Sequence, residues 1–218
     1  MTDNNSYRHK RDPHYIKAKK EGYRARSAYK LLDIHKKFKI FKRAFYILDL
    51  GSAPGSWLQV SKQFVEKNLE KYNDNHYYRN HFKIMGVDLK HVTSIEGVKV
   101  VKMDFTNPEF KDRIKEFFNN KKLDLILSDA SIKKSGNHFS DHIQQIKLCE
   151  KVLDIANQFL KMEGYLVTKL FQGLDTKVFK KKLKNYFKYV KAYKPKASKN
   201  KSNEIYIICL KKYDSKNN

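Results

Sequence analysis

Three aspartates sit at the ends of predicted strands and could build a binding site for a nucleoside. Asp49 lies in the first strand, Asp88 ends the second and Asp104 follows the third. In a mostly parallel sheet these strand ends meet at one edge, where ligands bind. A carboxylate after the second strand can accept hydrogen bonds from ribose hydroxyls, and one after the third can accept from an adenine amino group. The three acids in order therefore indicate a nucleoside-containing cofactor.

The turn after the first strand supports this interpretation and narrows it. It reads Gly-Ser-Ala-Pro-Gly-Ser over residues 51–56. Its glycines allow backbone to approach a ligand closely, and Pro54 stiffens the turn. The turn lacks the Gly-x-Gly-x-x-Gly fingerprint, which disfavours a dinucleotide, and no Gly-Lys-Ser/Thr follows it, which excludes a Walker sequence.

The elements that must position these residues alternate between strand and helix. Strands are predicted at residues 45–50, 83–88, 98–103, 123–128, 164–170 and 204–210, with a weaker one at 190–193. Helices are predicted at residues 13–21, 27–38, 57–68, 108–118, 142–160 and 176–189, the second capped by Ser27. Residues 69–82 are polar and irregular, which indicates a surface loop. The alternation predicts an α/β fold with a mostly parallel sheet covered on both faces.

The same pattern of strands and helices predicts the domain organisation. We expect a flexible basic arm at residues 1–12, a single domain at 13–213 and a frayed tail at 214–218. No run is apolar enough to span a membrane, and the polar N-terminus is not a secretory signal. Cys149 and Cys209 lack the spacing of a metal or redox site, so we predict no metal and a reducing, cytoplasmic setting.

Charge points to the class of partner. Lys and Arg number 47 against 23 Asp and Glu, a net charge of +24 over 218 residues. Such an excess favours a polyanion, above all nucleic acid. A genome rich in Lys and Asn codons would produce the same excess, so charge supports a nucleic-acid partner without identifying it.

Five segments together resemble the FtsJ/RrmJ family of RNA 2′-O-ribose methyltransferases. They read GYRARSAYKL at 22–31, LDLGSAPGSW at 48–57, LSD at 127–129, VTKLFQG at 167–173 and SNEIY at 202–206. The resemblance extends from about residue 11 to residue 211. It implies a Rossmann-like class I fold, dependent on S-adenosylmethionine, with a mostly parallel seven-stranded sheet flanked by helices.

The resemblance also implies which residues act. The catalytic tetrad of the family falls on Lys30, Asp129, Lys169 and Glu204. The family's contacts with S-adenosylmethionine fall on Gly55, Trp57, Asp88, Asp104 and Asp129, and backbone of Gly51, Ser52, Ala53 and Pro54 would line the same pocket. A 2′-hydroxyl is a poor nucleophile until a base removes its proton, and Lys169 can be that base only as a neutral amine.

Departures from the family pattern affect the edges of the site. No proline follows Asp129 in residues 130–136, which changes the expected shape of the substrate loop. Ser56 stands where a second glycine is common, and Met103 stands where a glycine precedes the aspartate.

Several alternatives stay open at this point. The resemblance favours a uridine of large-subunit ribosomal RNA as the substrate, and the alternative substrate is the anticodon loop of tRNA. We expect the protein to be a monomer. A catalytically silent RNA-binding or ribosome-assembly protein on the same fold would not need the four tetrad residues. Methylation of an exocyclic amine would call for a Pro-Pro-aromatic pattern, and methylation at a base C5 position would need a cysteine nucleophile.

Overall fold

The computed structural model of the protein describes residues 12–72, 81–199 and 201–213. The predicted basic arm, apart from Asp12, and the predicted tail at 214–218 lie outside these ranges, as do residues 73–80 of the predicted loop. The helices are α1 (Pro13–Lys20), α2 (Ala28–Phe38), α3 (Ser56–Tyr72), α4 (Phe110–Phe118), α5 (His138–Phe159) and α6 (Thr176–Lys184). The strands are β1 (Tyr46–Leu50), β2 (Lys83–Asp88), β3 (Val98–Lys102), β4 (Leu123–Ser128), β5 (Leu160–Phe171), β6 (Phe187–Tyr193) and β7 (Glu204–Lys212).

The strands form one sheet in the order β3-β2-β1-β4-β5-β7-β6. Strands β1 to β5 pair in parallel, whereas β7 is antiparallel to both β5 and β6. The strand order reverses direction between β1 and β4, and a crevice opens there beyond their carboxyl ends. The prediction of a mostly parallel, seven-stranded α/β fold is confirmed.

Two hydrophobic clusters cover the two faces of the sheet. Side chains alternate along β1, so Leu48 and Leu50 join one cluster with α4, α5 and α6, while Ile47 joins the other with α2 and α3. Asp49 shares the face of Ile47 and is fully buried. The sheet is therefore packed on both faces, and its carboxyl edge is held in place by helices from both sides.

The first two helices begin differently from one another. Asp12 caps α1 as its side chain accepts from the His14 amide, with Pro13 in the first turn. The predicted cap at Ser27 is wrong, because Ser27 has helical backbone angles and makes no cap hydrogen bond. Its hydroxyl instead lies 2.7 Å from the Ser56 hydroxyl at the start of α3.

Three other helix ends differ from their predicted positions. Helix α5 begins at His138, four residues before the prediction, because the Asn137 side chain accepts from two amides of the first turn. Helix α6 ends at Lys184, because residues 187–193 pair with β7 instead of continuing the predicted helix to 189. Helix α3 extends to Tyr72, where the sequence predicted a loop from residue 69.

Two absences within the described ranges are relevant to function. No helix in these ranges is long and apolar enough to cross a lipid bilayer. No group of three or more His, Cys, Asp or Glu side chains in the same ranges is arranged to hold a metal ion.

Candidate active site

A cavity of about 390 Å³ opens at the carboxyl edge of the sheet, where β1, β2, β3 and β4 end. Its size suits a ligand as large as S-adenosylmethionine. The predicted cofactor residues in its wall are Gly51, Ala53, Asp88, Asp104 and Asp129. The other side chains around it are mainly apolar and include Met103, Phe105, Ile132 and Leu148. The cavity thus combines a few carboxylates with flat apolar walls, as a nucleoside requires.

Backbone amides fix two of these carboxylates. Asp88 accepts from the amide of Ala53 at 2.9 Å and from that of Lys90 at 2.8 Å. Asp104 accepts from the amide and the hydroxyl of Thr106, at 2.8 and 2.7 Å. A carboxylate has about four acceptor positions, so each retains capacity for the hydroxyl or amino donors of a bound nucleoside.

The turn packs so closely that a side chain would not fit at Gly51. Its φ is +78°, and a Cβ there would lie 2.5 Å from the Cα of Ala130, next to Asp129. The glycine therefore lets the β1 and β4 loops meet at the floor of the cavity. The residues present fit S-adenosylmethionine.

The other predicted cofactor residues, Ser52, Pro54, Gly55 and Trp57, do not line this cavity. Trp57 is buried, with its indole N–H donating to the Ser27 carbonyl at 2.9 Å and its ring 5.6 Å from that of Tyr206. The guanidinium of Arg24 wraps the outside of the turn and donates to the Pro54 carbonyl at 3.2 Å. Their contact with the cofactor stays a prediction.

The predicted tetrad forms one hydrogen-bonded network beside the cavity. The Lys169 ammonium nitrogen lies 2.6 Å from the Asp129 carbonyl oxygen and 3.1 Å from its carboxylate Oδ1. Lys30 lies 3.2 Å from the Glu204 carboxylate. Lys30 and Lys169 are only 8% and 7% exposed, which is rare for lysine and shows that both are built into the fold.

Tyr206 joins the two pairs. Its hydroxyl donates to Asp129 Oδ1 at 2.7 Å and accepts from Lys30 at 3.2 Å. Burial, with Asp129 and Glu204 close by, raises the pKa of Tyr206 well above its ordinary value. Tyr206 therefore stays protonated and serves as a fixed donor to Asp129.

Comparison with known proteins agrees with this geometry. Residues 23–212 match the family model described as FtsJ-like methyltransferase. The chain belongs to the FtsJ-like methyltransferase family.

Curated relatives of this family match over most of the chain. The "Ribosomal RNA large subunit methyltransferase E" of Ehrlichia chaffeensis is 39% identical over 204 residues, covering 94% of this chain and 90% of the relative. The protein of the same name from Methanococcoides burtonii is 39% identical over 92% of this chain and 70% of its own.

Solved structures agree with the fold. A putative ribosomal RNA methyltransferase from Plasmodium falciparum superposes with a TM-score of 0.71 at 30% identity, over 87% of this chain and 98% of that one. Fibrillarin from Aeropyrum pernix, at a TM-score of 0.53 and 16% identity, shares the fold over 86% of this chain and 75% of its own. The protein is an S-adenosylmethionine-dependent methyltransferase.

This FtsJ-like chain also places a buried acid behind the cavity. Asp49 is fully buried, and neither carboxylate oxygen has a hydrogen-bond partner within the described residues. Burial, with Asp129 and Asp88 nearby, raises the pKa of Asp49 well above its usual value. Burial therefore favours the protonated form of Asp49 over the ionised form, although its strand position resembles that of Asp88.

Gln145 on α5 ties together the two loops that carry Asp129 and Lys169. Its amide nitrogen donates to the carbonyls of Ala130 and Lys169 at 3.1 and 3.0 Å, and its oxygen accepts from the Ile132 amide at 3.2 Å. The buried Cys149 thiol also donates to the Lys169 carbonyl. Burial raises the pKa of Cys149 to about 11, so this thiol is not a nucleophile.

Sequence reasoning missed Tyr206 and Gln145. Tyr206 had a usable signal, because it lies two residues after Glu204 and side chains two apart share a face of a strand. Gln145 had none, since a glutamine within a predicted helix gives no indication of the loops that it contacts.

Proposed function

We infer that the protein transfers a methyl group from S-adenosylmethionine to a ribose 2′-hydroxyl of large-subunit ribosomal RNA. The observation that carries this is the buried network of Lys30, Asp129, Lys169, Glu204 and Tyr206 beside the cofactor cavity, with Asp129 in both. Relatives at 35–39% identity carry the name of a large-subunit ribosomal RNA methyltransferase. We propose that the modified nucleotide is a uridine.

Lys169 is the proposed base. A neutral amine has two N–H bonds and one lone pair. Lys169 donates one hydrogen bond to the Asp129 carbonyl oxygen, and Asp129 Oδ1 lies 3.1 Å from the same nitrogen. The lone pair is then left to accept the proton of the 2′-hydroxyl. When bound, S-adenosylmethionine supplies an electrophilic methyl group on a sulfonium. The deprotonated oxygen forms the new bond to carbon as the bond to sulfur breaks, and Lys169 keeps the proton.

The other members of the network position this base. Asp129 holds Lys169 through a carbonyl and a carboxylate, so the amine cannot rotate freely. Tyr206 donates to the Asp129 carboxylate, Lys30 in turn donates to the Tyr206 hydroxyl, and Glu204 fixes Lys30. Such a rigid arrangement contributes to rate by aligning donor and acceptor before the reaction.

Basic segments near the network are proposed to contact RNA phosphates. Lys133 lines the cavity and Lys134 lies 3.9 Å from Glu204. The loop before β7 carries Lys196, whose amide donates to Asp33 on α2, so the loop is anchored to the helix that carries Lys30. We propose that residues 17–26 also border the cleft, and we extend this hypothesis to residues 8–11, which lie outside the described residues. The cytoplasmic location and the monomeric state stay predictions.

Methyl transfer to defined RNAs tests the proposal. We expect the purified chain to methylate large-subunit ribosomal RNA with radiolabelled S-adenosylmethionine, at one ribose that becomes resistant to alkaline hydrolysis at its 3′ linkage. Lys169→Met is the matched control and should give no signal. Methylation of tRNA in place of ribosomal RNA would overturn the substrate, and tight RNA binding without methyl transfer would identify a silent RNA-binding protein.

A further inference from the structure

Three exposed apolar side chains lie at the catalytic edge of the sheet. Phe139 in the first turn of α5 is 66% exposed, Leu174 after β5 is 84% exposed and Val178 in α6 is 68% exposed. Both α5 and α6 begin beyond the carboxyl ends of the strands that carry Asp129 and Lys169. We refer to Phe139, Leu174 and Val178 as the apolar platform.

Buried contacts hold the two parts of the platform together. His142 on α5 lies 2.8 Å from the Phe171 carbonyl through Nδ1 and accepts from the Asp175 amide at 3.2 Å through Nε2. Gly173 packs so tightly on this ring that a Cβ there would lie 2.6 Å from it. The first turns of α5 and α6 are therefore fixed against each other by groups buried beneath the platform.

Helix geometry places Phe139 above this junction. Residues three apart share a helix face, so Phe139 lies on the same side of α5 as His142, one turn nearer the N-terminus. Helical side chains lean toward the N-terminus, which for α5 is the direction of the catalytic edge. Leu174 lies in the turn that leads into α6, and Val178 lies in the first turn of that helix.

Lys134 lies between the tetrad and Phe171, the residue whose carbonyl contacts His142. The Lys134 ammonium lies 4.2 Å from the centre of the Phe171 ring and 3.9 Å from the Glu204 carboxylate. Lys133 and Lys177, which adjoin Lys134 and Val178 in the sequence, are also exposed. Apolar side chains bordered by cations form the surface that single-stranded nucleic acids prefer, because bases stack on the former and phosphates bind the latter.

We propose that the apolar platform receives a nucleobase of single-stranded RNA beside the methylated ribose, with Lys134 opposite the intervening phosphate. The proposal rests on the proposed function. Ribose methylation requires the target nucleotide to be accessible, and unstacked neighbouring bases in RNA loops are commonly bound by aromatic side chains. Phe139 supplies that aromatic face, and Leu174 and Val178 extend it.

Binding of a labelled oligouridylate of about 12 nucleotides, within the range that one domain covers, tests the platform by fluorescence anisotropy over a salt series. S-adenosylhomocysteine is added so that no reaction occurs. We expect Phe139→Ala to weaken binding about tenfold with an unchanged salt slope, and Phe139→Trp to restore it. Lys134→Ala should instead reduce the salt slope by about 0.7, the value for one phosphate contact on a single strand.

Met162→Ala is the matched control, because Met162 is an apolar side chain 52% exposed at the start of β5, away from the catalytic edge. It should bind as the unaltered chain does. Phe139→Ala within twofold of the unaltered chain would overturn the proposal. The proposal would also be overturned if Phe139→Ala weakened binding only to assembled ribosomal subunits, because the platform would then bind a protein partner. A platform effect on binding without any methyl transfer would refute the proposed function and leave the platform intact.

Discussion

The two halves of the catalytic edge are built on different principles. Around β4, β5 and β7, charged side chains satisfy one another: Lys169 with Asp129, and Lys30 with Glu204. Around β1 to β3, backbone amides hold the carboxylates, and the oxygens of Asp49 have no partner within the described residues. The reacting half is thus positioned by the protein alone, while the cofactor half presents acceptors to a ligand. We therefore expect mutations in the first half to reduce turnover and mutations in the second to reduce cofactor affinity.

The largest effect should come from Lys169→Arg. Guanidinium keeps the charge but does not lose a proton in proteins, so it cannot act as a base. We expect single-turnover methyl transfer to fall by about 10²- to 10⁴-fold, the usual contribution of a general base. Cofactor affinity, measured by calorimetry, should stay the same. Substantial methyl transfer by Lys169→Arg would show that Lys169 orients the substrate and is not the base. It would also contradict the expectation that mutations in the catalytic half of the edge reduce turnover.

A smaller effect, in the opposite half, is expected from Asp88→Ala and Asp104→Ala. Each change removes an acceptor for a buried donor of the cofactor, which costs about 1–3 kcal/mol of binding free energy. The affinity for S-adenosylmethionine should fall accordingly in calorimetry, while turnover at saturating cofactor changes little. Unchanged affinity in both variants would remove these residues from the cofactor site.

Tyr206→Phe should reduce turnover about tenfold. The ring still fills its place in the core, but Asp129 loses a donor and Lys30 loses an acceptor, at a cost of about 1–2 kcal/mol. Rapid-quench methyl transfer at saturating RNA and cofactor measures the change. An equal loss of cofactor affinity would show that the network supports both halves, contrary to the comparison.

The last effect concerns stability rather than activity or affinity. Because the pKa of Asp49 is raised by burial, the folded chain keeps a proton that the unfolded chain releases. The contribution of Asp49 to the free energy of unfolding is therefore fully present below the pKa that Asp49 has in the unfolded chain. This contribution declines as pH rises through the pKa in the folded chain, by at most about 1.4 kcal/mol per pH unit. Asp49→Asn should remove this decline and become increasingly more stable than the unaltered chain toward neutral pH. Urea unfolding without cofactor across this range measures it, with the exposed Asp154→Asn as control; parallel curves would contradict a protonated Asp49.

Much of the fold could be predicted because it depends on local patterns. Alternating apolar strands and amphipathic helices identified every strand of the sheet, and strand ends identified Asp88 and Asp104 as neighbours of one cavity. The element ends were less accurate, because they depend on pairing partners far along the chain, as residues 187–189 show by joining β7.

Within the site, residue types were easier to predict than their connections. Lys30 and Glu204 are 174 positions apart, and only the packing of α2 against the end of β7 brings them to 3.2 Å. The roles of Ser27 and Gln145 were beyond the sequence for the same reason, since each bonds to a segment that no local rule assigns to it.

The position of β7 has a consequence for how the enzyme is made. Strand β7 inserts between β5 and β6 and carries both Glu204 and Tyr206, so the network that links Lys169 to Lys30 is complete only after β7 has been synthesised. Until then β5 presents an unpaired edge, which is prone to association with other chains. A nascent polypeptide that stalls before β7 is thus expected to be inactive and prone to association, whereas addition of one strand completes the catalytic network and covers the exposed edge.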